Sequence, residues 1–215
     1  MTDAHCHLVR GEGRHFVCSP FEGTLGSEDR VFHGTHPWRL GEYDPERLCG
    51  LLAADEKAGV GEIGLDRLRE RDISPRMREV FVSQLEIAAE FRRPAVLHGA
   101  KCWGEVAKEA KRFAGKIPSF LFHGFSRSQG LLPEIEAMNG FVSVGPAILN
   151  SHAVNYRRLA AELPIDRLLA ETDLEEGADA PPIGEIVREL AALRNLPADE
   201  LERILDANAD AFLAP

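Results

Sequence analysis

The run Asp3-Ala4-His5-Cys6-His7 places two histidines two residues apart near the amino terminus. In an extended strand such residues face the same side, so His5 and His7 can converge on one metal ion while Cys6 faces away. A lone His-x-His fits a surface pair or a solvated turn equally well. Here the chain goes on to place Glu62, His98, His123 and Asp173, in that order, each at the end of an apolar, strand-like run. Imidazoles and carboxylates without thiolates suit Zn, Mn, Fe(II) or Mg-like ions, and a mixed set drawn from several strands suits two of them. One ion is assigned to His5, His7 and Asp173, the other to His98 and His123, with Glu62 bridging. Two ions about 3.5–4 Å apart hold and acidify a water and clamp both oxygens of a phosphoryl displacement. Without a metal, burying this set together would be costly.

The elements that must position these groups are legible as alternation. Short β-rich segments fall at residues 2–7, 15–19, 31–36, 60–65, 95–98, 119–123, 141–144 and 167–171. Amphipathic helical patterns fit 45–58, 75–91, 103–113, 131–138, 153–163, 183–193 and 198–205, with a last short one at 208–213. The first two begin with Pro at the first turn, where its missing N–H costs nothing. Alternating β and α predicts an α/β fold, a (β/α)8 TIM-type barrel, in one domain over residues 1–215. The active face of such a barrel lies at the C-terminal strand ends, where His7, His98, His123 and Asp173 fall.

A barrel of this type typically takes about 250 residues, so the chain must economise. Only residues 8–14 separate the first two strands, and 21–30 is too polar for a full helix, so the N-terminal helices are expected to be abbreviated. The apolar strand surface so exposed is expected to be covered by a partner subunit, in a homo-oligomer, or by a rearranged loop.

Composition narrows the class. With 44% hydrophobic and 28% charged residues the chain reads as an ordinary globular protein. A net charge of -10 argues against non-specific wrapping of nucleic acid, though not against holding a phosphate through metals and a few local cations. The four cysteines form no Cys-x-x-Cys pair, and a reduced, cytoplasmic setting is expected. The metal motif begins at residue 3, leaving no room for a signal peptide ahead of it, and no apolar run approaches the roughly 20 residues of a membrane helix.

A series of motifs gives the chain a family likeness. They are Asp-x-His-Cys-His (3–7), Gly-x-His-Pro (34–37), Gly-Glu-Ile-Gly-Leu-Asp (61–66), Gln-Leu-x-x-Ala followed by Arg-Pro-x-x-x-His (84–98), His-x-Phe-Ser (123–126), Leu-x-Glu-Thr-Asp (169–173) and Asn-x-x-x-Phe (208–212). In these the chain resembles the TatD-type metal-dependent deoxyribonucleases, a branch of the amidohydrolase-like barrels. The resemblance implies the ligand set drawn above, with Glu62 where related barrels carry a carboxylated lysine. It also implies metal-dependent hydrolysis of DNA phosphodiesters, often from a 3′ end, and a contact from His36 to the substrate phosphate.

Within that reading Asp173 takes the proton of the attacking water, and Glu171 and Asp3 orient ligand imidazoles or nearby backbone. Asp66 either supports the site or pairs with Arg67. The run after His98 is Gly99-Ala100-Lys101, so Lys101 offers a point charge where an arginine is common. Arg127, in place of a common Gly, is either a phosphate contact or a solvated side chain. Trp38 stands where another His is often seen and either stacks a base or is a half-buried loop residue. These departures keep a second reading open, a small-molecule amidohydrolase or esterase on the same centre. A third, a non-catalytic metal-binding scaffold, is weakened by the presence of all six expected ligands.

Overall fold

The computed structural model describes residues 1–69, 71–126 and 129–214. Eight parallel strands run in sequence order: β1 (Thr2–Leu8), β2 (Arg14–Glu22), β3 (Arg30–His33), β4 (Gly59–Asp66), β5 (Ala95–Ala100), β6 (Phe120–Phe122), β7 (Gly140–Val144) and β8 (Leu168–Ala170). The seam between first and last is closed by chain just beyond β8. The Asp173 N–H donates to the His5 carbonyl at 3.0 Å, and the His7 N–H donates to the Leu174 carbonyl at 2.8 Å. Asp3, buried below them, accepts from the Thr172 N–H and hydroxyl at 2.9 and 2.6 Å. The expected TIM-type barrel is therefore present.

The helices are α1 (Pro45–Ala54), α2 (Pro75–Glu90), α3 (Trp103–Ala110), α4 (Leu132–Ala137), α5 (Val154–Glu162), α6 (Ile183–Arg194) and α7 (Ala198–Leu213). The starts of α1 and α2 follow from sequence. Asp44 and Ser74 accept from the N–H groups three residues on, each followed by Pro at the first helical position. In α2 the apolar face of Val80, Phe81, Leu85, Ile87 and Ala88 is buried.

Among the described residues neither the β1–β2 nor the β2–β3 connection contains a helix. Residues 9–13 return the chain so that Arg14 pairs beside Thr2. Gly11 and Gly13 sit at φ 87° and 126°, backbone that side chains rarely adopt. The bared outer face is closed by the chain's own loops: Leu174 packs on Cys6 and Val17, with Leu8, Val9, Phe21 and Ala180 around them. The barrel floor is filled from below by α7, whose Phe212 ring lies 5.7–5.9 Å from those of Phe16, Phe32 and Phe141. The four cysteines are free, and no helix among the described residues is long and apolar enough to cross a membrane.

Candidate metal centre

Glu62 is the hub of the upper barrel. It is nearly fully buried on β4, and its two oxygens face different histidines. Oε1 lies 2.6 Å from His98 Nδ1 and 2.5 Å from His123 Nε2, while Oε2 lies 3.4 Å from His7 Nε2 and 3.6 Å from His5 Nε2. Asp173 completes the ring, with Oδ1 3.3 Å from His5 Nε2. All six residues read from sequence as ligands thus meet in one place. Sets of donor atoms close enough to hold an ion are formed by His5, His123 and Asp173, by His5, His7 and Glu62, and by His36, Glu62 and His98.

The far side of each imidazole explains its orientation. His7 Nδ1 points at the carbonyls of Cys18 and Pro20, 3.0 and 3.2 Å away, so it carries a proton and leaves Nε2 free for the centre. His98 Nε2 meets Asp66 Oδ2 at 2.8 Å, which frees Nδ1 in the same way. The Asp66 alternative left open by sequence thus falls to site support, while Arg67 pairs instead with Glu105 at 2.7 Å. His123 Nδ1 faces Glu171 at 3.6 Å, and Glu171 is itself held by the Ser143 hydroxyl at 2.5 Å. His5 Nδ1 lies 3.4 Å from the Cys18 thiol, a neighbour that no sequence spacing announced.

Burial alone would raise the Glu62 pKa, but the charge of His123 and hydrogen bonds from His123, His7 and His98 override it and hold the carboxyl well below its usual value. Burial likewise opposes charge on His123 and His98. Glu62 acting on His123, and Asp66 with Glu62 acting on His98, outweigh it and raise both. The Asp173 carboxyl is held below its usual value by the neighbouring His5.

The donor set fits divalent metal on two grounds. His5 Nε2 is buried with no hydrogen-bond partner. His98 Nδ1 and His123 Nε2 approach to 3.3 Å while sharing one carboxylate oxygen, an arrangement that two ring nitrogens satisfy better around cations than around each other.

His36 joins the cluster from the segment after β3. That segment is clamped by the buried Gln84 of α2, which accepts from the Thr35 N–H at 2.6 Å and donates to the Thr35 carbonyl at 3.1 Å. Trp38 N–H donates to His36 Nδ1 at 3.1 Å, so the proton of neutral His36 sits on Nε2, which faces Glu62 at 3.8 Å. Burial pushes the His36 pKa down to about 4, so it is neutral at pH 7. Lys101 is exposed just past β5, with a left-handed φ of 57°. Arg127 lies outside the described residues. A cavity of about 350 Å³ opens beside His36 between β2, β3 and α1, bordered by Ser19, His33, Arg39 and Arg47.

A parallel barrel with imidazoles and carboxylates converging at its C-terminal mouth is an arrangement suited to metal-dependent hydrolysis. The pattern of the TatD related DNase family matches residues 25–214, and the chain belongs to that family. It is 27% identical over 188 residues to the uncharacterized metal-dependent hydrolase YabD of Bacillus subtilis, covering 82% of this chain and 74% of the relative. It is 28% identical over 193 residues to the 3'-5' ssDNA/RNA exonuclease TatD of Pantoea vagans, again covering 82% and 74%. The solved structure of YjjV, a TatD homologue from Escherichia coli, superposes with a TM-score of 0.81 at 24% identity, covering all of this chain and 98% of that one.

Proposed function

We propose that this metal-dependent hydrolase is a two-metal phosphodiesterase that removes nucleotides from DNA ends. The observation that carries the reading is the division of Glu62, one oxygen toward His98 and His123 and the other toward His5 and His7. A carboxylate so placed bridges two ions, and such a pair supplies an acidified water and neutralises charge on a phosphoryl group. The relative named as a 3'-5' ssDNA/RNA exonuclease supports a nucleic-acid end as substrate.

In this reading His5, His7 and Asp173 would hold one ion and His98 and His123 the other, with Glu62 serving both. Asp173, about half exposed at the mouth, takes the proton of the attacking water and passes it to solvent. Its backbone sits at φ 51°, a strained setting consistent with a side chain aimed for chemistry. His36 cannot readily ligate through the nitrogen that bears its proton. It donates that proton as a hydrogen bond to the phosphate instead, with Lys101, just past β5, adding a point charge.

The test is release of nucleotide from a 3′-labelled single-stranded oligonucleotide by metal-stripped protein refilled with Mg, Mn, Zn or Co. Release that requires both metal and Glu62, and that Glu62→Ala abolishes, is the expected outcome. The acidic charge of -10 favours a second reading, a small ester or amide as substrate. Protein that carries two metals yet releases no nucleotide would overturn the first reading in favour of the second.

A further inference from the structure

Trp38 is the large exposed aromatic side chain beside the centre, with 41% of its surface open. It stands edge-on to His36 at 4.8 Å and to His98 at 6.5 Å between ring centroids, so it forms part of the rim above the His36, Glu62 and His98 donors. Over its ring lies the guanidinium of Arg69, 3.8 Å from the centroid. Arg69 comes from the loop after β4, and that loop is tied to the centre by one carboxylate. Asp66 Oδ1 accepts from the Leu68 N–H at 2.5 Å while Asp66 Oδ2 holds His98. The neighbouring Arg67 turns away to pair with Glu105, while Arg69 lies over the Trp38 ring.

We propose that Trp38 and Arg69 together form a phosphate-binding fork at the mouth of the metal centre, with Arg69 as the contacting residue and Trp38 as its support. A guanidinium laid flat on an indole is held by cation–π attraction, while its N–H edges stay in plane and free for two parallel bonds to a phosphate. The strand end that bears His98 continues as Gly99-Ala100-Lys101, which offers only a point charge. Arg69 brings the planar, bidentate donor to the same place from the adjacent loop, and Asp66 keeps that loop and His98 in register. Such a fork selects a phosphoester over a neutral amide or lactone. The inference rests on the phosphoesterase reading of the site, deepening it to the group that recognises the anion.

The experiment is calorimetric titration of the Mn-loaded full chain with inorganic phosphate, using the wild type, Arg69→Ala, Arg69→Lys, Trp38→Ala and the Trp38→Ala/Arg69→Ala double variant. Both side chains are exposed, and thermal melts verify that the fold is retained. Arg69→Ala is expected to weaken phosphate about ten- to a hundredfold, the range of a lost charge-assisted bond. Arg69→Lys restores only part, because it returns charge without the fork. Trp38→Ala weakens binding less, and the double variant matches Arg69→Ala because Trp38 acts through Arg69. Unchanged affinity in Arg69→Ala, full restoration by lysine, or a double loss equal to the product of the two single ones would each overturn the proposal. Phosphate itself is titrated, so the answer stands whether or not the protein cleaves DNA. If it does, Arg69→Ala raises KM for the oligonucleotide far more than it lowers kcat.

Discussion

At the scale of single residues, the centre depends on which nitrogen of each histidine is committed elsewhere. Asp66 takes Nε2 of His98 at 2.8 Å, and two backbone carbonyls take Nδ1 of His7, so the inward nitrogens are the free ones. Asp66→Ala should therefore weaken metal binding by about 10–100-fold, the usual range for loss of such a supporting partner, with the far-UV spectrum unchanged. Metal titration followed by calorimetry checks this, and full affinity in the variant would show that His98 needs no orienting carboxylate. The six candidate donors were readable from sequence because they lie in the upper parts of strands or just past them, and a parallel barrel turns those positions into one mouth. The partners were harder to read. The Cys18 thiol beside His5 does not follow from spacing, since it comes from the neighbouring strand β2, and the Trp38 N–H on His36 depends on a local turn of the backbone.

The elements are tied together by a few buried polar contacts whose effects can be measured. Glu109 of α3 is almost fully buried and accepts from Arg78 of α2 at 2.5 Å and from Arg112 at 2.6 Å. Burial would raise its pKa, but the two guanidinium groups outweigh that and bring it below the usual 4.5. A carboxyl depressed in the folded state contributes stability above its unfolded value and loses it as pH falls through the folded one. Glu109→Gln should thus cost about 1–2 kcal/mol near neutral pH, a deficit that shrinks as the pH drops below 4.5. Urea unfolding of both proteins at pH 7 and pH 3.5 reads this, and a deficit independent of pH would rule the ion pairs out as its cause.

Strand order and most helices were visible in the alternation of periods, but α7 was not. The sequence reads as two pieces, 198–205 and 208–213, parted at Asp206 and Ala207. In the fold it is one helix, Ala198–Leu213. Asn208 is buried and donates to the carbonyls of Ile165 and Leu168 at 2.7 and 2.8 Å, while Asp206 takes the Thr2 hydroxyl at 2.6 Å. Tertiary bonds therefore account for the polar residues that local pattern takes for a break.

For the whole molecule, α7 completes what the short N-terminal half leaves open. Phe212 fills the barrel floor between Phe16, Phe32 and Phe141, and Arg14 at the start of β2 reaches back to Asp210. Phe212→Ala should cost about 3–5 kcal/mol, the range for a fully buried aromatic whose site cannot collapse. Chemical denaturation measures it, and a loss under about 1 kcal/mol would mean that the floor is packed by other groups. Loops, with Leu174 against Cys6 and Val17, close the outer face where two crossover helices are missing. That economy explains how a chain of 215 residues reaches a barrel mouth built on eight strands.

The most direct test of the account is metal stoichiometry, because everything proposed for this chain turns on Glu62 serving two ions at once. Stripped protein equilibrated with excess Mn or Zn, freed of unbound metal and analysed for metal per chain should carry two divalent ions. Glu62→Ala should carry one or none. A wild type that holds a single ion, or a variant that still holds two, would contradict the bridged centre.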